Sequence, residues 1–545
     1  MAYFGGSSLT AAAKTRQAPG PAGRGRSREP LLTSACQGDV GAVVVEPWTD
    51  DPSKAPRYIP GRFPSEPLTV GGVRRLPLPR GPPTGSSGGP YRCQGGTHTV
   101  RPTNRTARTT RSRRLARAAC LLAVAASVTV IAAPAQAAPA WGRITRVDLG
   151  VDGAGANQQS MSLGISGNGR YALFHSAATN LVPDATSGRG LYVRDLRTGR
   201  TELVSRAADG TPFPPDPDEA GISGDGRYIV FSAEVNGAYN VYVRDRVKGR
   251  TSAVTNGTAS GTGHSYEPAI SADGRRIVFM STRTDLVPGA PVAPNTRNVY
   301  VIDRVTGATR LVSVGADGQA ASGDSEHPTI SADGRTVGFT SKARNLLPAT
   351  DGGTADLDRL RFTTLYATDL DSGTTVVAGL DPDGTPGAAA PTIRLSPDGR
   401  YVAYALSAIP LPGGKARTEL FVNDLRTNRV QSIRTSTNPD AICWGEPDAA
   451  ITADDRWIYF AGGCSDTIIR AGQARFDLYR QNLRTGRTEL VTGAPDGTPL
   501  AGAAASLFVT DNGRTVLFSD TNSDLVPDGR RSTGWQVYIR SLKNS

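Results

Sequence analysis

The sequence predicts an all-β protein in which residues 138–545 form a seven-bladed β-propeller. Three observations support this fold class. One strand-rich unit repeats seven times, and such a period is typical of propellers. The strands of each unit alternate large apolar and polar side chains, which indicates sheets that pack through their faces. Finally, an N-terminal segment resembles the one strand that the last unit lacks.

Each repeat begins with a strand, a tight turn and an apolar second strand. The seven copies of this pair lie at residues 164–176, 221–233, 269–281, 329–341, 394–406, 450–462 and 508–520. A variable loop, a third strand such as LYVRDL and a fourth strand such as TELVSR complete the unit. Asp-Gly and Asn-Gly dipeptides supply the positive φ of tight hairpin turns. Because one four-stranded sheet cannot bury both of its faces alone, we expect the units to pack side by side in a closed ring.

The closure of the ring follows from the two ends of the repeat region. The seventh unit reaches Ser545 without a fourth strand. Residues 144–149, ITRVDL, resemble the fourth strands, and residues 150–153 resemble the Asp-Gly loops that follow them. We therefore expect the N-terminal strand to complete the last blade and close the ring.

The repeated Ile-Ser-x-Asp-Gly-Arg, Tyr-Val-x-Asp-Leu and Thr-Gly pattern resembles the TolB-like, WD-type β-propeller repeat family of secreted and periplasmic bacterial proteins. The resemblance extends over all seven units, so it is specific for the fold. It implies a binding platform, but a fold alone does not define a function. TolB itself has six blades and an additional N-terminal domain, so its own partners are not expected here.

Charge is distributed unevenly along the chain. Residues 1–137 carry 19 Lys and Arg against 6 Asp and Glu, whereas residues 138–545 carry 42 against 43. The overall net charge of +12 therefore belongs to the leader, and we expect no nucleic-acid partner for the nearly neutral propeller. Residues 1–110, rich in Gly, Pro, Ser and Arg, are predicted to be disordered, and we expect the true translation start to lie near Val100.

Residues 111–137 resemble a secretory signal peptide. Arginines 111, 113, 114 and 117 precede an apolar run at 118–133, and Ala135-Gln136-Ala137 provides the small residues of a cleavage site. We expect a secreted, monomeric protein without a stable membrane span after cleavage, because the apolar run is short.

N-terminal sequencing of the secreted chain tests this interpretation. We expect the mature chain to begin directly after Ala137. A mature end upstream of residue 110 would contradict both the signal peptide and the late translation start.

Two cysteines, Cys443 and Cys464, remain after cleavage. The turn of their hairpin lies midway between them, at residues 453–454, so antiparallel pairing would place them opposite one another. An even pair in an oxidising compartment predicts a structural disulfide, with two free thiols as the alternative.

Catalytic and metal-binding patterns are weak. The serine of Gly-Ile-Ser-Gly at 164–167 recurs in most units and lacks the second glycine of a hydrolase elbow, which indicates a structural role. His175, His264 and His327 lack zinc spacing. Loops such as 179–188 lack the later acidic ligands of a calcium site. We therefore predict no catalytic residue, metal ion or other cofactor, with a calcium-stabilised module as an unsupported alternative.

Polar residues recur near the start of the innermost strands. Four residues before each strand's terminal Ser or Thr stand Ser162, Glu219, Glu267, His327, Thr392, Asp448 and Ser506; Asp218, Tyr266 and Glu326 come one residue earlier in their strands. These positions should converge at one mouth of the channel and form an acidic funnel for a cation or cationic ligand. The candidate binding residues are Glu219, Tyr266, Glu267, Glu326, His327 and Asp448.

The sequence favours a non-enzymatic binding platform whose partner is a protein, a cell-wall polymer or a small ligand. The alternative is an extracellular lyase or glycosidase, which needs two carboxylates across a sugar-binding cleft. Glu219 and Glu267 are the candidates for that pair, and Tyr266 is the main aromatic residue beside them.

Overall fold

The computed structural model describes residues 141–183, 189–213, 219–256, 263–348, 363–387, 389–410, 416–435, 443–464, 476–493, 504–522, 525–526 and 534–543. The predicted disordered segment 1–110, the predicted signal peptide 111–137 and the candidate residue Asp218 lie outside these ranges. Within the described part, no helix is long and apolar enough to cross a membrane.

Twenty-eight strands, β1 to β28, make up the described structure. The closing strand is β1 (Thr145–Arg146). Blade 1 holds β2 (Ser160–Ile165), β3 (Tyr171–Ser176), β4 (Gly190–Asp195) and β5 (Thr201–Leu203); blade 2 holds β6 (Ala220–Ile222), β7 (Tyr228–Val235), β8 (Ala238–Asp245) and β9 (Arg250–Ala253). Blade 3 holds β10 (Ser265–Ile270), β11 (Arg276–Ser281), β12 (Asn298–Asp303) and β13 (Thr309–Leu311); blade 4 holds β14 (Ser325–Ile330), β15 (Thr336–Ser341), β16 (Thr364–Asp369) and β17 (Thr375–Val377). Blade 5 holds β18 (Ala389–Leu395), β19 (Tyr401–Pro410), β20 (Ala416–Asp424) and β21 (Arg429–Ile433); blade 6 holds β22 (Cys443–Ile451), β23 (Trp457–Cys464), β24 (Asp477–Asn482) and β25 (Thr488–Leu490); blade 7 holds β26 (Ala505–Val509), β27 (Thr515–Asp520) and β28 (Gln536–Ser541).

The blades are seven four-stranded antiparallel sheets, each in simple up-and-down order. The first strand of every blade contacts the first strand of the next, and the series returns from β26 to β2. These first strands are therefore the innermost ones and surround the central axis. The predicted seven-bladed β-propeller is confirmed.

The N-terminal strand closes the ring as predicted. Strand β1 pairs with β28, with Thr145 opposite Ile539 and Arg146 opposite Tyr538. The contact continues beyond the strand, since Gly142 N–H donates to Ser541 O and Val147 N–H donates to Val537 O, each at 2.8 Å. Strands from the two ends of the propeller region thus build blade 7 together.

An ion pair lies buried at this seam. Arg146 Nε donates to Asp148 Oδ1 at 2.8 Å, and the Asp148 side chain is fully buried. Burial raises the pKa of Asp148, although its hydrogen bond with Arg146 opposes that change. The guanidinium also donates to Ala156 O, which joins the closing segment to the chain entering blade 1.

Aromatic pairs mark the interior of the blades. In every blade, an aromatic residue of the second strand packs against one of the third at ring-centroid distances of 5.8 to 6.1 Å: Phe174–Tyr192, Phe231–Tyr242, Phe279–Tyr300, Phe339–Tyr366, Tyr404–Phe421, Phe460–Tyr479 and Phe518–Tyr538. Apolar clusters run from one blade to the next; Leu173 and Val193 of blade 1, for example, pack with Phe231 of blade 2. The hydrophobic core therefore lies between the sheets, as the alternation of the strands predicts.

The repeated Ser-x-Asp-Gly-Arg motif is explained by hydrogen bonds within each turn. Ser223 Oγ donates to Asp225 Oδ1 at 2.6 Å and accepts the Tyr228 N–H at 3.0 Å. In blades 1, 2, 3 and 5 the arginine that follows forms an ion pair with the aspartate ending the third strand, as in Arg227–Asp245 at 2.8 Å. Gly226 is needed because its φ is +73° and a Cβ there would lie 2.2 Å from the Tyr171 ring. The recurrent serine therefore has the structural role that the sequence predicts.

The fourth strands are shorter than predicted. The segment 201–206 reads as one strand in the sequence, but β5 ends at Leu203. Beyond it, Ser205 Oγ accepts the Leu191 N–H at 3.1 Å, so a hydroxyl group replaces the backbone carbonyl of the ladder. Thr255, Ser313 and Thr492 do the same in blades 2, 3 and 6.

The hairpin of blade 6 has the predicted register. Strands β22 and β23 pair with Cys443 directly opposite Cys464. The side chains of both residues lie outside the described part, so the disulfide itself stays a prediction.

The buried ion pair at the seam makes ring closure testable. We expect Arg146→Met to lower the free energy of unfolding by about 3–5 kcal/mol, because it leaves the Asp148 carboxylate buried without its partner. The loss should shrink as pH falls towards 4. Arg146 opposes the burial that raises the pKa of Asp148, so this pKa lies higher in the variant than in the wild type, and the folded variant gains more stability by taking up the proton. Urea denaturation at several pH values measures both effects.

The matched control is Arg170→Met, which removes the more exposed ion pair with Asp195 and should cost less than about 1 kcal/mol. The double variant Arg146→Met/Asp148→Leu should recover most of the lost stability, since no charge then remains buried. A stable Arg146→Met single variant at pH 7 would show that the seam does not hold the ring.

Peptide mapping of the secreted chain under non-reducing conditions tests the disulfide. We expect one cross-linked peptide that contains Cys443 and Cys464 and disappears on reduction. Cys464→Ser should then lower stability by about 3 kcal/mol through the unfolded-state entropy of the opened loop. Alkylation of both thiols without prior reduction would refute the bridge.

Candidate functional site

The candidate residues lie at the start of the innermost strands, at the end of the blades opposite the Asp-Gly turns. Strands β10, β14 and β26 each carry a β-bulge there, between Tyr266 and Ala269, Glu326 and Thr329, and Ala505 and Phe508. The bulged residues Glu267, His327 and Ser506 adopt left-handed backbone conformations with φ of 50°, 54° and 49°. A bulge breaks the regular ladder, so these residues have backbone groups available for partners outside their own sheet.

The partners of the three N–H groups are side chains of the preceding blade. Glu219 Oε2 accepts the Glu267 N–H at 2.6 Å, and Glu267 Oε2 accepts the His327 N–H at 2.8 Å. On blades 6 and 7, Asp448 Oδ2 accepts the Ser506 N–H at 3.1 Å, and Ser162 Oγ of blade 1 donates to Ser506 O. We call this recurring contact the inter-blade clasp. It offsets the strain of the bulges and gives the predicted polar residues a structural role.

The structure brings part of the predicted set together. Glu219, Tyr266, Glu267, Glu326 and His327 lie on the adjacent blades 2, 3 and 4, linked by the clasps. Asp448 belongs instead to the clasp of blades 6 and 7, where the Arg394 guanidinium donates to its Oδ1 at 3.0 Å. Its charge is therefore offset locally.

Tyr239 and His264, two aromatic residues that were not predicted to lie at the mouth, join this group. The Tyr239 and Tyr266 rings lie 5.1 Å apart, and His264 lies 5.8 Å from Tyr266. Tyr239 N–H donates to His264 Nδ1 at 3.2 Å. All three side chains are partly exposed. We define the channel-mouth cluster as Glu219, Tyr239, His264, Tyr266, Glu267 and His327.

A hairpin turn explains the position of Tyr239. In blade 2 the variable loop between the second and third strands is only the pair Asn236-Gly237, with φ of 54° and 78°. Positive φ at both residues is the type I′ geometry that joins two strands directly. Strands β7 and β8 consequently extend to Val235 and Ala238 and carry Tyr239 to the mouth. The Asn-Gly dipeptide was the sequence signal that could have found it.

Basic residues make the mouth less acidic than predicted. Arg297 Nη1 donates to Glu326 Oε1 at 2.5 Å and lies 3.7 Å from Asp324 Oδ2. Arg297 and Glu326 therefore offset each other, so Glu219, together with Glu267 when it is ionised, supplies the other predicted acidic groups of blades 2 to 4. The arginine could not be placed from sequence, because it follows a loop of irregular length.

Burial shapes the ionisation of the cluster. It raises the pKa of Glu267 to about 7; the hydrogen bond from His327 N–H opposes this change, and the nearby charge of Glu326 supports it. Burial lowers the pKa of His327, which remains neutral at pH 7, with Nδ1 3.0 Å from Thr340 Oγ1 and Nε2 3.8 Å from Glu267 Oε1. Glu267 can therefore gain or lose a proton near neutral pH.

The described residues contain no group of three or more His, Cys, Asp and Glu side chains arranged to hold a metal ion. The cluster instead combines two tyrosine rings with two carboxylates at the same mouth, and burial raises the pKa of one carboxylate, Glu267, to about 7.

Comparison with known proteins adds the fold only. No family profile and no curated protein sequence matches the chain. Among solved structures, it is similar to an oligogalacturonate lyase in complex with manganese, at 13% identity and a TM-score of 0.45 over 74% of this chain and 96% of that one. It is also similar to the propeller domain of the Trilobed protease from Pyrococcus furiosus, at 12% identity and a TM-score of 0.43 over 70% of this chain and 96% of that one. A putative TolB from Agrobacterium tumefaciens is similar at 17% identity and a TM-score of 0.34, over 50% of this chain and 80% of that one. The similarity to TolB and the other propellers is thus a distant one.

Proposed function

We propose that the protein is a secreted, non-enzymatic binding platform whose channel-mouth cluster binds an organic cation. The observation that supports this proposal is that the Tyr239–Tyr266 ring pair and the clasped carboxylates of Glu219 and Glu267 lie at the same end of blades 2 and 3. A lysine-bearing protein, an amine-bearing cell-wall polymer and a small polyamine all present the required chemistry.

The two parts of the cluster favour the same ligand. Tyrosine faces attract ammonium and guanidinium groups, and partial desolvation strengthens that attraction. Carboxylates add Coulomb attraction, which is larger at a partly buried mouth than in bulk water. Because the clasps and the I′ turn already hold these side chains in place, binding requires little reorganisation.

Glu267 gives the proposed binding a characteristic pH dependence. A cation stabilises the ionised form of a carboxylate whose pKa lies near 7, so it should displace the proton. Affinity should then rise with pH until Glu267 is ionised in the free protein as well.

Isothermal titration with spermidine tests the proposal. We expect binding by the full chain to tighten about tenfold between pH 6 and pH 8, because Glu267 loses its proton over this interval. Glu267→Gln should weaken binding at least about tenfold and remove the pH dependence, and Tyr266→Ala should weaken binding at every pH. Triacetylated spermidine, which is neutral, should not bind.

Asp448→Asn is the matched control, since it alters an equivalent clasp far from the tyrosines and should leave the affinity unchanged. Melting temperatures of all variants show whether they fold. Equal binding by wild type and Glu267→Gln, or no binding of spermidine at pH 8, would refute the cation site.

A carbohydrate-active enzyme is the second candidate, favoured by one observation: a carboxyl group with a pKa near 7 suits a general acid. In that case Glu267 would protonate a leaving group and Glu219 would be the second carboxylate. Release of reducing ends or unsaturated products from cell-wall polysaccharides, abolished by Glu267→Gln, would favour the enzyme. Absence of turnover together with spermidine binding favours the platform.

A further inference from the structure

We infer that a second site, on the perimeter of blades 1 and 2, binds a small polyanion, that is, a molecule with two or more carboxylate or phosphate groups. The site is a cavity of about 570 Å³. Residues 149–151, which follow the closing strand, and residues 181–183 of blade 1 form part of its wall. The third and fourth strands of blade 1 and Arg244 of blade 2 complete it.

The described lining is strongly basic. It contains four arginines and a single acidic residue, Glu202: the arginines are Arg194, Arg200, Arg206 and Arg244. The carboxylate of Glu202 already forms an ion pair with Arg246, which lies outside the lining. The four guanidinium groups therefore give the cavity a net positive charge.

Two of these arginines donate their hydrogen bonds to neutral groups only. Arg194 Nη1 donates to Thr201 Oγ1 at 2.8 Å and to Leu149 O at 3.4 Å, and Arg244 Nη1 donates to Thr251 Oγ1 at 3.1 Å. Neither forms an ion pair with any residue that the structure describes. A guanidinium has five N–H donors, so both retain donors for a ligand. Burial lowers the pKa of each, against the opposing charges of Asp148 near Arg194 and Glu202 near Arg244, and a bound anion would compensate the buried positive charge.

The propeller repeat does not require these arginines. Arg194 and Arg244 are the penultimate residues of the third strands β4 and β8. At this position blades 3 to 6 carry Ile302, Thr368, Asn423 and Gln481. In blade 7 the equivalent Arg540 is used by the fold, since its Nη1 donates to Val491 O and to Gly493 O. In blades 1 and 2 this arginine lines the cavity described above.

The rest of the cavity sets the class of ligand. Its volume is in the range of small-molecule sites. Leu149, Leu181, Val182 and Leu203 give it an apolar wall, so a ligand with a compact carbon skeleton fits beside the charged groups. The planar fork of a guanidinium matches carboxylate and phosphate oxygens in pairs. A small molecule with several anionic groups satisfies all three features.

Titration of the full chain with pyrophosphate and with citrate tests this inference and distinguishes phosphate from carboxylate recognition. We expect at least one of them to bind with a Kd below about 1 mM at low salt, to weaken as NaCl is raised, and to raise the melting temperature. Arg194→Gln and Arg244→Gln should each weaken binding about tenfold or more. Uncharged glucose should not bind.

Arg335→Gln is the matched control, because it removes an exposed arginine of blade 4 that pairs with Asp371. It should leave binding unchanged. Arg194→Gln and Arg244→Gln should melt like the wild type without ligand, since neither guanidinium holds an ion pair. If they melt lower, Arg194→Lys and Arg244→Lys keep the charge and should retain partial binding. The inference is overturned if neither anion binds, or if Arg335→Gln weakens binding as much as Arg244→Gln does.

Discussion

Closure of the ring is the constraint on which the rest of this structure depends. Each sheet has two apolar faces, and its aromatic pairs and aliphatic residues are buried only because a neighbouring sheet covers each face. A row of blades would leave two such faces open at its ends, whereas a ring leaves none. The pairing of β1 with β28, supported by the buried Arg146–Asp148 ion pair, completes the last sheet and so protects all seven.

The repeat also fixes which positions remain free for function. Turn residues such as Ser223, Asp225 and Arg227 are engaged by hydrogen bonds or ion pairs in each blade, so their recurrence reflects the fold. Residues that vary from blade to blade are not bound by this requirement. Both proposed sites consist of such departures: the Asn236-Gly237 turn with Tyr239 and Tyr266 in blades 2 and 3, and the penultimate arginines in blades 1 and 2.

The two sites differ in charge and place. The channel-mouth cluster lies at one end of blades 2 to 4 and combines carboxylates with tyrosine rings, while the arginine-lined cavity lies on the perimeter beside the closing segment. Separation of opposite charges on a nearly neutral ring allows ligands of opposite sign to bind without direct competition. The clasps couple the first site to blade geometry, because the same carboxylates that would face a cation also hold the neighbouring bulges.

The sequence by itself determined the number of blades, the closing strand, the turn chemistry and the register that places Cys443 opposite Cys464, because each depends on local periodicity and short-range pairing. It also placed Glu219, Glu267 and His327 at equivalent ends of their strands. Only the tertiary structure decided what these side chains contact. The bulges bring Glu267 and His327 into contact with neighbouring blades, and Tyr239 and Arg297 each reach the mouth through separate contacts. Arg194 and Arg244 line one cavity. These arrangements arise between segments distant in sequence, and no periodic pattern encodes such contacts.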